Sequence, residues 1–250
     1  MLQRRLYLQG LCALGALEPV HARSAPPVVR MGYFDRYPPF SEKDASGKMH
    51  GLLIDSTALV GELAGLTLTH QGFPWARTQR MVEQGELDGF CTFASTERAG
   101  YALFCPTPLL SLRYGIYHRR DDDRIADIRS VADLRALRQG SYLGGGYVKE
   151  HLEADRMSME SDPDALLRRL LNGSLDVFPE SEMIVASRVK ALGLTDRIQF
   201  TPLGFLPVTT YCWGMRRSYP NVATVLTRVE TAIQTAHRKK ALQDLLTQYL

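Results

Sequence analysis

Gly85-Glu-Leu-Asp-Gly89 precedes Cys91-Thr-Phe-Ala-Ser-Thr-Glu-Arg98, and together they form the most informative stretch of the sequence. It predicts a strand that ends in a turn, with Arg98 just beyond the strand. A guanidinium presents a rigid fork of N–H donors that fits a carboxylate, and Ser95 and Thr96 can add donors beside it. Thr92, on the strand itself, is a further candidate contact. The stretch favours capture of a small acid, and a surface arginine that starts a helix is the alternative.

The sequence before this stretch alternates strand and helix patterns. Strands are predicted for residues 28–33 and 66–70, and a helix capped by Asp55 or Ser56 lies between them. Pro74 opens a second helix, so the order is βαβαβ, which predicts a parallel sheet covered by helices. Ligands of such folds bind at the carboxyl ends of the strands, where Tyr37, Trp75 and Arg98 lie.

A second α/β unit follows the strand predicted for residues 112–118. Ser141–Tyr147 passes from a strand into a glycine-rich turn, so the backbone N–H groups of Gly145, Gly146 and Tyr147 can hold an anion. A plain tight turn is the alternative. A helix at 162–171 and a strand at 175–178 come next, and Glu180, Ser181 and Glu182 follow that strand. Residues 203–213 predict a crossing strand, and two helices close the chain at 222–236, capped by Asn221, and 241–250.

Composition excludes several classes of function. The chain has 250 residues, of which 45% are hydrophobic and 23% charged, enough for one large domain or two modest lobes. Its formal charge of +3 is scattered, so we expect no nucleic-acid partner. The histidines and cysteines have no metal-ligand spacing, and no nucleophile elbow is present. We therefore expect no metal and no cofactor.

Residues 1–25 have the features of an export signal. Arg4 and Arg5 precede a mostly apolar run from Leu6 to Leu17, and Val20-His-Ala22 resembles a small-residue cleavage site. A membrane anchor is the alternative, but the run falls short of the roughly 20 apolar residues that span a bilayer. We expect a mature chain that begins at Arg23 and acts in the periplasm.

Three cysteines lie beyond this segment: Cys91, Cys105 and Cys212. At most one pair can form a disulfide, and Cys91 with Cys105 is the candidate, because both lie at the ends of apolar runs that flank Arg98. Buried free thiols are the alternative for at least one of them.

Taken in order, these features resemble bacterial solute-binding proteins of family 3. The motifs are Gly32 to Phe40, Gly51 to Asp55, Gly85 to Asp88, Thr96 to Arg98, Gly144 to Gly146 and Asn172 to Asp176, and the likeness spans about Val28 to Leu250. The resemblance implies a periplasmic-binding-protein type II fold, in which two α/β lobes joined by two crossing hinge strands close on a ligand. It places lobe 1 at 26–110 plus 212–250 and lobe 2 at 111–211.

The resemblance also assigns roles to residues. It implies that Arg98 pairs with the α-carboxylate of a ligand and that Tyr37 and Trp75 sandwich the ligand's side chain. Asp35 is a candidate contact for a polar side chain, and a turn-forming aspartate is the alternative.

Three departures from the family pattern bear on the ligand. Gly146 stands where the family has a threonine, so only backbone donors remain there. Ser181 stands near the family's ammonium-binding aspartate, so a charge must come from Glu180 or Glu182. Phe90 and Phe93 replace expected serines, which predicts a less polar site.

The resemblance implies a small carboxylate-bearing ligand and an ABC permease as the partner. Two other functions stay open. A periplasmic cyclohexadienyl dehydratase shares the fold and needs a cleft acid with a raised pKa, such as Glu180 or Glu182. A sensory module would use the same closure to signal to a membrane receptor.

Overall fold

The computed structural model describes residues 28–249, so the predicted signal peptide and residues 26 and 27 lie outside the described residues. The strands are β1 Val28–Phe34, β2 Arg36–Tyr37, β3 Ser41–Lys43, β4 Met49–His50, β5 Thr67–Phe73, β6 Gly89–Thr92, β7 Ala102–Phe104, β8 Leu110–Leu112, β9 Tyr114–Arg119, β10 Gln139–Tyr142, β11 Met157–Glu160, β12 Val177–Ser181, β13 Ile198–Pro202 and β14 Thr209–Arg216. The helices are α1 Leu52–Leu63, α2 Trp75–Glu83, α3 Thr96–Tyr101, α4 Val131–Leu134, α5 Gly146–His151, α6 Pro163–Leu171, α7 Glu182–Ala191, α8 Val222–Arg238 and α9 Ala241–Gln248.

The strands form two main sheets, each of which is the centre of one lobe. The sheet of lobe 1 has the order β5-β1-β6-β14-β7, and β8 pairs with β14 beside this path. The β1 strand pairs in parallel with β5 and β6, as the βαβαβ pattern predicts. Helix α1 packs against α8 and α9, so the last part of the chain belongs to lobe 1. Within residues 28–249, no helix is long and apolar enough to cross a membrane.

The sheet of lobe 2 has the order β11-β10-β12-β9-β13. Its β10 strand is parallel to β11 and β12, whereas β9 runs antiparallel to β12 and β13. The sequence patterns miss β7, β11, β13 and α7, which are short or lack a clear apolar period. The exact boundaries between the lobes stay a prediction.

Two strands connect the lobes. The chain leaves lobe 1 through β8 and returns through β14, and these strands pair with each other in antiparallel fashion from Leu110 to Leu112. β14 then continues between β6 and β7, so the returning strand lies inside the sheet of lobe 1. Two crossing strands are therefore present, as expected from the family resemblance.

Three details of the sequence-based picture are corrected. Helix α1 begins at Leu52, because Pro39 and Phe40 carbonyls accept its first N–H groups, so neither Asp55 nor Ser56 caps it. Gly51 has a φ of 120°, and a Cβ there would lie 2.7 Å from the Phe40 carbonyl oxygen, so this close approach requires glycine.

Asn221 precedes α8, but it adopts the left-handed conformation and its side chain makes no capping bond. All three cysteines are buried free thiols, so the predicted Cys91–Cys105 disulfide is absent from the described residues.

Each lobe contains the same carboxylate clamp. In lobe 1, the Asp88 carboxylate accepts bonds from the backbone N–H (3.0 Å) and the guanidinium of Arg30, and a second arginine, Arg216, also donates to it. In lobe 2, Asp176 accepts the matching bonds from Arg138 (backbone N–H, 2.7 Å) and from Arg124. Each clamp ties the start of a strand to the Gly-x-Leu-Asp turn that follows a helix.

These clamps determine part of the acid sensitivity of the fold. Bonds from Arg138 and Arg124 hold the pKa of Asp176 well below its usual range, against the opposing effect of burial. A carboxyl group with a depressed folded-state pKa stabilises the protein above its unfolded pKa of about 3.9, and this contribution is lost as pH falls through the lower, folded value.

We expect Asp176→Asn to lower the free energy of unfolding at pH 7 by about 2 kcal/mol, because two arginines lose their charged acceptor. Urea unfolding measures the change, with the exposed Asp127→Asn as the control, which should change stability by less than about 0.5 kcal/mol. The difference between wild type and Asp176→Asn should shrink below pH 3.9. A difference that stays constant from pH 7 to pH 2 would contradict the role of the clamp.

Candidate functional site

A cavity of about 40 Å³ lies between the two lobes. It is lined from lobe 1 by residues after β1, on α2 and at the end of β6, and from lobe 2 by the start of α5 and the end of β12. Eight of the residues predicted from sequence line this cavity: Tyr37, Trp75, Thr92, Arg98, Gly145, Gly146, Tyr147 and Glu180. Because the volume suffices for a few water molecules only, a bound amino acid requires the lobes or the lining side chains to move.

Arg98 is a buried cation on the lobe 1 side of this cavity, with only 2% of its surface exposed. Its Nε donates to Gln79 Oε1 at 2.9 Å, Nη1 to the Phe93 carbonyl at 2.7 Å and Nη2 to the Gly144 carbonyl at 2.8 Å. The guanidinium carbon lies 5.2 Å from the Trp75 ring, within range of a cation–π contact. Every one of these acceptors is neutral, and burial lowers the pKa of Arg98.

The glycine turn of lobe 2 packs directly on this arginine. A Cβ on Gly146 would lie 2.6 Å from Arg98 Nη1, so the threonine that the family has at this position would collide with the guanidinium as it is placed. The N–H of Gly145 donates to the Tyr142 carbonyl within the turn. The turn presents an oxygen acceptor to Arg98, the Gly144 carbonyl.

Glu180 is a buried acid on the lobe 2 side. Its Oε1 accepts bonds from the backbone N–H of Ser181 at 2.6 Å and from the Ser181 hydroxyl at 3.0 Å, and its Oε2 accepts from the Tyr37 hydroxyl at 3.1 Å. Burial raises the pKa of Glu180 to about 6, although the bonds from Ser181 and Tyr37 lower it. The ion pairs within residues 28–249 include neither Arg98 nor Glu180.

Tyrosines fill the space between these two charges. The Tyr37 hydroxyl is 3.1 Å from that of Tyr142 and 3.3 Å from that of Tyr211. Tyr147 stacks on Tyr114 with the ring centroids 3.7 Å apart, and the Tyr147 hydroxyl donates to the Pro207 carbonyl. The interior is thus aromatic with hydroxyl groups, rather than simply less polar as predicted.

The other predicted residues lie outside the cavity lining. Thr96 is exposed at the rim, where its N–H and hydroxyl donate to the Glu150 carboxylate of lobe 2. Ser181 is buried behind Glu180, and Glu182 forms an exposed ion pair with Arg113. Asp35 lines a second cavity of about 220 Å³ on the other side of Tyr37. Between the two glutamates, only Glu180 faces the site.

Sequence reasoning missed four residues of the site. Tyr142 lies at the carboxyl end of β10, and it could have been found because ligands of such folds bind at the carboxyl ends of strands. Gln79 lies one helical turn beyond Trp75 on α2. Tyr114 begins β9 and Tyr211 lies on the crossing strand β14, and no sequence signal distinguishes them from core tyrosines. Within residues 28–249, no group of three His, Cys, Asp or Glu side chains is placed to hold a metal ion.

The sequence of this chain matches a family of known proteins. The profile described as bacterial extracellular solute-binding proteins, family 3, matches residues 29–250. The chain belongs to this family. Members of the family are binding proteins of the extracellular or periplasmic space. No curated protein matches the chain in a search by sequence.

Solved structures with the same fold include proteins of different kinds. A histidine kinase sensor domain similar to periplasmic binding proteins is 20% identical, with a TM-score of 0.75 over 91% of this chain and 98% of that one. An ancestral arginine-binding protein bound to arginine is 17% identical, with a TM-score of 0.74 over 90% and 99%. An ancestral amino acid-binding protein, a precursor of cyclohexadienyl dehydratase, is 18% identical, with a TM-score of 0.70 over 89% and 94%. At these identities the likeness shows the two-lobed fold alone.

The buried Glu180 predicts a measurable effect on stability. Since its folded-state pKa is raised, its favourable contribution is present below pH 4.5 and lost as pH rises through about 6. We expect Glu180→Gln to raise the free energy of unfolding at pH 7 by up to about 2 kcal/mol relative to its effect at pH 4. Urea unfolding at both pH values measures this difference. Glu182→Gln, two residues further along the chain and partly exposed, is the control and should show a difference below about 0.5 kcal/mol.

Proposed function

We propose that this protein captures a small amino acid or related zwitterion between its lobes, as the solute-binding component of an ABC importer. The observation that carries the proposal is a pair of buried, opposite charges in the wall of one cavity, Arg98 and Glu180, neither of which forms an ion pair within residues 28–249. A buried charge without a charged partner is costly, and a ligand with a carboxylate and an ammonium group satisfies both at once.

Each residue has a distinct part in this proposal. Arg98 takes the carboxylate, and Glu180, rather than Glu182, takes the ammonium. Tyr37 and Trp75 provide aromatic contact, and Thr92, Gly145, Gly146 and Tyr147 shape the wall. Thr96 acts at the rim, where its bond to Glu150 joins the lobes, as does the 2.7 Å ion pair between Lys149 and Glu97. Ligand binding then shifts the population toward the closed form, because the ligand contacts both lobes.

The proposal includes export and a partner. Residues 1–25 direct the chain to the periplasm, and the mature protein delivers its solute to an ABC permease. A sensory role, in which closure signals to a membrane receptor, uses the same site and differs only in the partner. Deletion of the gene for this protein would abolish solute uptake in the first case and leave it unchanged in the second.

A dehydratase of the cyclohexadienyl type is the second candidate, and the raised pKa of Glu180 favours it. A general acid works best when its pKa is close to the operating pH, and Glu180 at about 6 meets this condition. Release of carbon dioxide from prephenate by the purified protein, lost in Glu180→Gln, would place the enzyme first. Membership of a family of solute-binding proteins supports the binding function instead.

Thermal unfolding against a panel of amino acids, keto acids and aromatic acids tests solute capture. A ligand at about 100 times its Kd adds roughly 2.7 kcal/mol, which raises the midpoint by several degrees. We expect Arg98→Lys to abolish the shift, because an ammonium lacks the bidentate fork. Arg77→Ala removes an exposed arginine from α2, the helix that carries Trp75, and should keep the shift of the midpoint. The proposal is wrong if no zwitterion raises the midpoint of the wild type.

The affinity for an amino acid should depend on pH in a defined direction. An ammonium group binds to ionised Glu180, so below pH 6 each pH unit should weaken binding by up to about tenfold. Isothermal titration calorimetry between pH 4.5 and 7.5 measures this slope, and Glu180→Gln should remove it. An unchanged slope in Glu180→Gln would exclude Glu180 as the ammonium contact.

A further inference from the structure

Three side-chain donors of lobe 1 converge on a single oxygen atom of lobe 2. The Gly144 carbonyl oxygen lies 2.8 Å from Arg98 Nη2, 3.1 Å from Trp75 Nε1 and 3.4 Å from Gln79 Nε2. No role in binding follows for Gln79 from the sequence, and Trp75 was expected to contribute only its aromatic face. The convergence gives both side chains a polar role.

The orientation of these donors is fixed by their own contacts. Gln79 uses its Oε1 to accept from Arg98 Nε at 2.9 Å, which leaves its amide NH₂ directed toward Gly144. The guanidinium of Arg98 packs against the Trp75 ring at 5.2 Å. The three donors are therefore held together as a unit on α2 and α3 whether or not Gly144 is beside them.

The number and charge of the donors exceed what a peptide carbonyl needs. A carbonyl oxygen has two lone pairs and no net charge, whereas this oxygen meets three donors, one of them a buried cation. A carboxylate oxygen fits such a set better, because hydrogen bonds between charged groups are about twice as strong as neutral ones. The donor set thus matches an anionic oxygen that the described residues do not supply.

Lobe 2 reaches this set only because glycine occupies the turn. Gly144 has a φ of 85°, and a Cβ there would lie 2.3 Å from Gln79 Nε2 and 3.0 Å from Trp75 Cδ1. The absence of a side chain at Gly146 gives the same freedom beside Arg98. The backbone of lobe 2 can consequently enter the space that a ligand's carboxylate would use.

We propose that Arg98, the indole N–H of Trp75 and the amide of Gln79 form a three-donor site for one carboxylate oxygen of the ligand, and that the Gly144 carbonyl is its internal occupant, which the ligand displaces. This proposal rests on the proposed function, since it assumes a carboxylate-bearing solute. It adds a selection rule: an acid displaces the neutral carbonyl, whereas the corresponding carboxamide gains no charge-assisted bond and competes poorly.

Nitrogen-15 NMR of the two indole N–H groups tests the ligand side of this site, with glycine and L-alanine as the probes. Trp213 has a buried indole N–H without an acceptor in the described residues and serves as the internal reference. We expect a bound probe to shift the Trp75 resonance and leave the Trp213 resonance in place. Glycinamide and L-alaninamide should bind at least about tenfold more weakly.

Two variants measure the donors in calorimetric titrations. Trp75→Phe keeps an aromatic ring but removes the N–H, and Gln79→Leu removes the amide, so each should weaken binding of the probe about fivefold. The loss is moderate because the competing Gly144 carbonyl loses the same donor. Gln84→Leu, the same change at the exposed end of α2, is the matched control and should bind as the wild type does.

The outcomes separate this proposal from the proposed function. If the wild type binds a probe while the Trp75 resonance and the affinities of both variants stay unchanged, the three-donor site is wrong and solute capture stands. If neither probe nor any other zwitterion binds the wild type, the proposed function fails and this inference fails with it.

A measurement without added solute tests the internal occupant. We expect the Trp75 indole N–H to exchange slowly with water in the wild type, because the Gly144 carbonyl accepts from it. In Gly146→Ala, the added methyl group displaces Arg98 and should speed this exchange at least about tenfold. Gly145→Ala, whose methyl group faces Ser141 and Tyr142 within lobe 2, is the control. Equal exchange in Gly146→Ala and Gly145→Ala would overturn the role of Gly144.

Discussion

The burial of one guanidinium between two lobes is the constraint on which the arrangement of the cleft depends. Arg98 is removed from water, and its side-chain hydrogen bonds within residues 28–249 go to neutral oxygens of Gln79, Phe93 and Gly144. A buried cation must be satisfied by hydrogen bonds, so the turn of lobe 2 has to come close enough for its Gly144 carbonyl to accept one. Glycine at Gly144 and Gly146 makes that approach possible. The position of the lobes, the small cavity and the availability of Arg98 to a ligand are thus aspects of one interaction.

The remainder of each lobe is built by a simpler rule that is used twice. Asp88 and Asp176 each follow a Gly-x-Leu turn, and each accepts the backbone N–H and the guanidinium of the arginine at the start of the adjacent strand. A carboxylate that accepts several hydrogen bonds from guanidinium groups is strongly stabilised in its ionised form. The clamps hold the starts of β1, β6, β10 and β12 in register, and the site lies toward the opposite ends of these strands, where Glu180 is the next-to-last residue of β12.

The sequence predicts the scaffold well and the interior of the site poorly. Periodicity and turn residues locate β1, α2 and β6, because β1 and β6 are short apolar runs and α2 lies between Pro74 and Gly85. The position of Arg98 at a lobe boundary is also predictable from its motif. Tyr114 and Tyr211 are not, since an aromatic residue on a strand has the same sequence signal whether it packs in a core or lines a cleft. Nor does the motif reveal that the glycine turn presents a carbonyl to Arg98, because this depends on how closely the lobes approach.

The path of β14 has a consequence for folding. Lobe 2 is formed by one continuous segment, so its contacts can form as soon as β13 has been synthesised. Lobe 1 needs β14 between β6 and β7, and the Cys212–Thr92 pairing closes a loop of well over a hundred residues. Long-range pairings of this kind are slow and leave strand edges exposed meanwhile. During synthesis, lobe 2 would therefore mature first, and the unfinished sheet of lobe 1 would be the part of the chain that most needs a chaperone.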